Sequence, residues 1–243
     1  MELLFLDTVD STNKYAKEHL SELKDKTIVY AGNQTAGRGR LERKWNSNSG
    51  DNIYASIVLK PSKELKEIYS NLTQYLSLVL TETIEEFNNT NNIYPKIKWP
   101  NDVRINGKKI SGILAESVIE KNELKGIILG FGVNLNCSAG DLEKIDQPAT
   151  SLNLETGMKI DREIFLKNVV DKFCLRYNKF IEEGFLLVRE DYLRRAEFLD
   201  TPVTVRVFDK EICGIAKDIT ENGALKIIDK DNKEHVLLIG DIL

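Results

Sequence analysis

The run Ile97-Lys-Trp-Pro-Asn-Asp-Val-Arg-Ile-Asn-Gly-Lys-Lys-Ile-Ser-Gly-Ile-Leu-Ala-Glu-Ser-Val-Ile119, continued after a polar Glu120-Lys-Asn-Glu123 turn by Leu124-Lys-Gly-Ile-Ile-Leu-Gly-Phe-Gly-Val133, decides the fold class. Its apolar segments are short, rich in β-branched residues and bounded by polar turns, which predicts strands at 97–99, 103–105, 110–119 and 124–133. Asn106-Gly107 between two apolar runs is a hairpin signal, because a two-residue turn holds both central residues at positive φ. The segment therefore reads as an antiparallel meander.

Working outward, helices interrupt the strands. Leu3 to Leu6 reads as a strand, and Ser11 or Thr12 can cap a helix to about Leu23 with Tyr15, Ala16, Leu20 and Leu23 as its apolar stripe. Thr27 to Ala31 and Ile53 to Leu59 are strand-like. From Glu64 to Phe87 apolar residues recur at helical spacing and predict the longest helix, ended by the Asn88 to Asn92 cluster. Beyond the meander, helices are expected over Arg162 to Glu182 and Leu186 to Ala196. After Thr201-Pro202 the pattern changes to short strands, Val203 to Phe208, Glu211 to Ala216, Ala224 to Ile228 and His235 to Ile239. The expectation is an α+β protein with a mixed sheet in residues 1–198 and a small β-barrel in 199–243.

Composition narrows the function classes. The chain has 243 residues, 42% apolar and 30% charged, with a formal net charge of -4, so nothing in bulk attracts nucleic acid or anionic lipid and an anion site must be local. Cys137, Cys174 and Cys213 stand far apart with no Cys-x-x-Cys pair, which argues against a disulfide framework or structural zinc and for a reducing compartment. The N-terminus has no basic n-region and no run of 18 apolar residues occurs, so a cytoplasmic protein without a membrane partner is expected. His19 and His235 have no neighbours at ligand spacing, which makes Ser-His-Asp and zinc chemistry poor candidates.

A local anion site is visible in Gly32-Asn-Gln-Thr-Ala-Gly-Arg-Gly-Arg-Leu-Glu-Arg-Lys-Trp45. Its glycines let backbone N–H groups approach an oxyanion, and Arg38 and Arg40 offer planar two-pronged donors. A second polar cluster follows at Lys98-Trp-Pro-Asn-Asp102 and Lys108-Lys-Ile-Ser-Gly112. Neither standard phosphate cradle is present. Gly37-Arg-Gly39 and Gly130-Phe-Gly132 lack the third glycine of a dinucleotide fingerprint, and Gly32 to Gly37 continues with Arg38-Gly39 where a P-loop needs Lys then Ser or Thr.

Asp10-Ser-Thr-Asn13, Gln34 with Ala36-Gly-Arg-Gly-Arg40, Arg43-Lys-Trp45, Lys98-Trp-Pro-Asn-Asp102, Lys109-Ile-Ser-Gly112 and Gly130-Phe-Gly-Val-Asn134 occur in the order found in biotin protein ligases, and the resemblance covers essentially the whole chain. It implies that ATP and biotin form biotinyl-5'-AMP and pyrophosphate, with Mg2+. The acyl group then passes to a lysine of a biotin carboxyl carrier protein or domain. It also implies an SH3-like C-terminal barrel and a homodimer through the meander. The catalytic pattern begins at residue 3, so the DNA-binding domain of dual-function members, and DNA as a partner, are not expected.

By the same resemblance, Arg38, Arg40, Lys109 and Asp102 are the catalytic set. Attack of a carboxylate on the α-phosphate joins two anions, which requires fixed cations where charge develops. Ser11, Thr12, Asn13, Gln34, Gly37, Arg38, Lys109, Ser111, Gly112 and Gly132 are assigned to biotin, and Arg38, Arg40, Trp45, Asn101, Asn134 and Lys210 to ATP. Asp102 is also the candidate Mg2+ ligand. Alternatives stay open: Ser11 as an N-cap, Trp45 as a core residue, Lys109 as a solvated hairpin lysine, and Asn101 and Asp102 as turn formers. Gly37 to Gly50 has the composition of a flap over the adenylate. Glu42 is a departure, standing where the family loop commonly has glycine.

Lipoate ligases and octanoyl transferases share the implied fold and form the nearest alternative. Their loop carries Arg-Arg-x-Ser-Gly-Gly-Gly and a following His-Asp, which this chain lacks. From another class, a non-catalytic nucleotide- or RNA-binding protein would use Trp45 as a stacking platform. The acidic balance, and aromatic residues that are not interleaved with basic ones, weigh against it.

Overall fold

The computed structural model describes residues 1–40, 43–47, 51–60, 71–88 and 93–243. Seven strands form one sheet: β1 (Leu3–Val9), β2 (Ile28–Gln34), β3 (Ile53–Leu59), β4 (Lys96–Lys98), β5 (Asp102–Ile105), β6 (Lys108–Glu120) and β7 (Glu123–Val133), in the order β1-β2-β3-β7-β6-β5-β4. Only β1 and β2 are parallel. A parallel pair needs a crossover, supplied by α1 (Thr12–Glu18) and the turns after it. This explains why α1 stops short of the expected Leu23: the chain must come back to enter β2 beside β1. Asn106 and Gly107 take φ of 52° and 74° in the tight turn joining β5 to β6.

Period-two alternation along β7 separates the two faces of the sheet. Ile127, Leu129, Phe131 and Val133 enter the main core with Ile53, Ala55, Ile57 and Leu59 of β3. That core is closed by α2 (Leu72–Glu86) and α5 (Arg162–Glu183), where Tyr75 stacks on Phe180 at 4.4 Å and donates to the Phe173 carbonyl at 2.6 Å. The opposite face presents Gly126, Ile128, Gly130 and Gly132. Ile128 joins Ala16, Leu20, Val29 and Val58 in a smaller cluster under α1, and a Cβ at Gly126 would lie 2.8 Å from Leu20 Cδ2. The glycines let α1 and the site sit directly on the sheet.

Two short helices that the sequence did not announce, α3 (Ala139–Leu142) and α4 (Leu152–Thr156), precede α5, whose N-cap Asp161 accepts from Ile164 N at 2.9 Å. Gly184, at φ 71°, ends α5. A 3-10 turn then occupies Gly184–Val188 and α6 spans Arg189–Arg195, so the expected Leu186 to Ala196 helix starts later than its apolar pattern suggested. The first part of the expected Glu64 to Phe87 helix, and most of the Asn88 to Asn92 turn, lie outside the described residues.

The C-terminal strands β8 (Pro202–Val207), β9 (Lys210–Ile219), β10 (Leu225–Ile228), β11 (Glu234–Leu237) and β12 (Asp241–Ile242) form an antiparallel sheet in the order β11-β10-β9-β8-β12, consistent with an SH3-like fold. Val203, Val205, Ala216, Ile219, Leu225 and Ile227 join the main core. Polar pins reinforce this seat: Asn71 donates to Asn222 O at 3.0 Å, Gln74 to Gly223 O at 2.9 Å, and Arg189 to Ile219 O at 2.7 Å.

Candidate active site

The basic loop folds back on itself. Gly39 N donates to Arg43 O at 2.7 Å and Trp45 N to Gly37 O at 3.0 Å, with a bridge between Arg38 and Lys44. Gly37 is required there, since a Cβ would lie 2.6 Å from Trp45 O. Beneath the loop is a cavity lined by Ser11, Thr12, Asn13, Gln34, Arg38, Arg40, Trp45, Asn101, Asp102, Lys109, Gly112 and Gly132. Gly37 and Asn134 line a second cavity on the far side of the loop, which shares Gln34, Arg38, Trp45 and Lys109 with the first and reaches Lys144 to Gln147.

The floor is built by close approach. A Cβ at Gly130 would collide with the Asn13 amide, and one at Gly132 with the indole of Trp45. Gly112 is tight but less crowded, its Cβ position lying 3.0 Å from both Trp45 Cζ3 and Lys109 Cε. Trp45 therefore rests on the two glycines assigned to ligand contact, and its buried Nε1 makes no hydrogen bond. Lys109 Nζ stands 5.8 Å from the centre of the same ring.

A polar network fixes one end of the cavity. Gln34 Oε1 accepts from Thr12 N at 2.8 Å, and Gln34 Nε2 donates to Ser47 Oγ at 3.3 Å. Ser56, from the same face of β3, donates to Asn13 Oδ1 at 2.6 Å. Asn13 Nδ2 donates to Glu116 at 2.8 Å and to Leu114 O at 3.3 Å, so its amide is committed to the scaffold. Ser11 occupies the N-cap position, yet its hydroxyl caps nothing and the residue lines the cavity. The N-cap alternative therefore does not hold for its side chain.

Each of the three cations expected to be catalytic lies against one carboxylate. Lys109 Nζ is 2.7 Å from Asp102 Oδ1, Arg38 Nη2 is 3.6 Å from Glu116 Oε1, and Arg40 Nη1 is 3.0 Å from Asp241 Oδ1. Such pairing gives charges in a partly closed site a partner before any ligand arrives. Burial alone would push the Glu116 carboxyl up. Hydrogen bonds from Lys17 and Asn13, with the charges of Lys17 and Arg38, more than offset this and hold it below the ordinary carboxylate value. Lys98, half-buried behind the site, is pushed down by loss of solvent and by the charge of Arg104.

Cations converging over a glycine floor, beside a pocket of hydroxyl and amide groups, suit a ligand with one acidic and one flat polar end. Residues 5–134 match the biotin/lipoate A/B protein ligase family. The bifunctional ligase/repressor BirA of Bacillus subtilis is 33% identical over 225 residues, covering 92% of this chain and 68% of that protein. The chain belongs to the biotin/lipoate A/B protein ligase family. A biotin--[acetyl-CoA-carboxylase] ligase from Paracoccus denitrificans is 33% identical over 222 residues, 90% of this chain and 91% of that protein. Among solved structures, a biotin protein ligase from Aquifex aeolicus in complex with biotin and ATP superposes with a TM-score of 0.84 at 31% identity, covering 100% of this chain and 97% of that one.

Within this biotin/lipoate ligase frame, the first cavity gathers most of the residues expected from sequence. Others stand elsewhere. Ser111 is fully buried and donates to Gly132 O at 2.7 Å across the strands, so its hydroxyl serves the sheet. Asn134 Nδ2 donates to Thr150 O at 3.0 Å. Lys210, exposed at the start of β9, lines neither cavity. Glu42, its possible pairing, and part of the Gly37 to Gly50 flap lie outside the described residues. Sequence reasoning missed Ser56, Glu116 and Asp241. Glu116 was discoverable, since Gly112, Leu114 and Glu116 alternate on one face of β6. Nothing local marks Asp241.

Proposed function

We propose that this chain is an ATP-dependent biotin protein ligase that forms biotinyl-5'-AMP and passes biotin to a lysine of a carboxylase carrier domain. The observation that carries the reading is the presence of Arg38, Arg40 and Lys109 around one cavity together with Thr12 and Gln34. Hydroxyl and amide groups at one end match the ureido head of biotin, which has two N–H donors and one carbonyl. The carboxylate then lies toward the cations. Its oxygen attacks the α-phosphorus of ATP, the bond to the bridging oxygen breaks, and pyrophosphate leaves. Lys109 and Arg38 stabilise the charge on the phosphoryl oxygens, and Arg40 holds the phosphates. In the second step a neutral lysine amine attacks the acyl carbon, AMP departs with the bonding pair, and the nitrogen gives up one proton to solvent. Asp102, which lines the same cavity, is the carboxylate assigned to orient that amine.

Of the two aspartates lining the first cavity, Asp102 and Asp241, Asp102 is the one assigned to Mg2+, which keeps most of its water and binds through substrate phosphates. Asp102 would hold it, and the ion would neutralise phosphate charge. The names of the relatives support a carboxylase carrier as acceptor. Cys174 and Cys213 are exposed thiols outside any disulfide, which supports a reducing cytoplasm, and no helix among the described residues is long and apolar enough to cross a membrane. The part of β6 beyond Leu114 pairs with β7 on one side only among the described strands, which supports a homodimer along that edge.

The deciding experiment is ATP/pyrophosphate exchange with biotin, lipoate and octanoate in parallel. Exchange dependent on biotin is expected. Exchange with lipoate or octanoate instead would transfer the site to the other branch of the family, and none with any acid would remove the adenylation reading.

A further inference from the structure

The C-terminal sheet reaches the cavity through an acidic residue. Asp241 opens β12, a two-residue strand held by β8, and lines the first cavity with Arg40 and Asn101. Arg40 Nη1 binds Asp241 Oδ1 at 3.0 Å and Asn101 Oδ1 at 3.2 Å, and Nη2 donates to Gly240 O at 3.1 Å. Gly240 has φ 146°, and a Cβ there would lie 2.7 Å from Val205 Cγ1, so the carbonyl reaches Arg40 from a turn suited to glycine.

We propose that Asp241 is a positioning residue for Arg40, through which the C-terminal sheet becomes a wall of the adenylate pocket; this rests on the ligase reading above. An exposed ion pair would count for little. Here the Asp241 side chain is 14% exposed and the Arg40 side chain 27%, and Asp241 of β12, Gly240 just before it and Asn101 in the turn before β5 hold one guanidinium. A carboxylate facing a phosphate site repels the ligand unless a cation neutralises it, so Asp241 acts through Arg40. Nη1 and Nη2 donate to Asn101 and Gly240, and Nη1 is ion-paired with Asp241. Nε–H donates to none of the described residues, which leaves that edge of the guanidinium for a phosphoryl group.

The test uses the full chain with Asp241→Ala, Asp241→Asn, Asp241→Glu, Arg40→Ala and the Arg40→Ala/Asp241→Ala double variant. The KM for ATP in biotin-dependent exchange is read alongside adenylate released to solution, trapped with hydroxylamine. Asp241→Ala is expected to raise that KM and the released fraction by about tenfold, with a smaller change in kcat. Asp241→Glu should recover much of the loss. Arg40→Ala and the double variant should behave alike, because the carboxylate has no other route to the ligand. Thermal melts establish folding, and Asp241→Asn carries the comparison if the alanine variant does not fold. A folded Asp241 variant without charge that keeps the wild-type KM and release, or binds ATP more tightly, overturns the inference, as do losses that multiply in the double variant. Absence of exchange in the wild type removes the ligase reading and this inference together; exchange with an indifferent Asp241 removes this inference alone.

Discussion

At residue scale, Lys109 illustrates how a site lysine is kept ready. Its amine is 2.7 Å from Asp102 and its stem packs over Gly112, so it is neither a solvated hairpin lysine nor free to wander. Lys109→Ala should abolish biotin-dependent pyrophosphate exchange. It should cost about 1–3 kcal/mol of stability by leaving Asp102 short of a partner, a loss an ordinary domain survives. Wild-type exchange in that variant would contradict the assignment. Glu116 gives a pH signature. Its carboxyl stays ionised in the folded protein to lower pH than in the unfolded chain, so the unfolded chain takes up a proton first as acid is added. That stability is complete above the ordinary glutamate range and is lost as pH falls through the lowered folded value. Urea midpoints taken near pH 7 and about pH 4 should therefore fall less in Glu116→Gln than in the wild type; equal falls would mean Glu116 is not linked to folding.

At element scale, the meander was legible because its signals are local. The Asn106-Gly107 turn, the β-branched runs and the polar 120–123 turn each specify backbone conformation without help from distant residues, and β5, β6 and β7 appear within two residues of expectation. The Gly-x-Gly of β7 was harder to read, since its meaning depends on Asn13 and Trp45 arriving from elsewhere. Helices of four or five residues, and a strand of two, give too few periods for any pattern. The junction between α2 and the C-terminal sheet is likewise invisible in sequence, although Gln74 there is buried and donates to Gly223 O. Gln74→Leu should cost about 1–3 kcal/mol in urea denaturation, because the carbonyl loses its donor in a closed environment. No change in the midpoint would show that water replaces the amide.

At the scale of the whole molecule, the edge of β6 left unpaired among the described strands is the surface a second copy would use in the proposed homodimer. Sedimentation at micromolar concentration should then show a dimer, and Ser117→Pro, which removes a backbone donor on that strand, should shift it toward monomer. A wild-type monomer under those conditions would remove the proposal. The two sheets share one core through Val203, Val205 and Leu225, so the C-terminal strands are built into the site's surroundings.

The sequence by itself determined the elements, the α+β class and the cationic residues of the loop, since periodicity, turn chemistry and charge are properties of neighbouring residues. It also carried the family resemblance, because motif order survives without coordinates. Only the tertiary structure decided which carboxylate faces each cation, that Ser111 serves the sheet, and that Asp241 rather than Lys210 reaches the cavity. Those outcomes depend on contacts between segments as far apart as residues 40 and 241, where strand register and the space left by missing side chains set the partner.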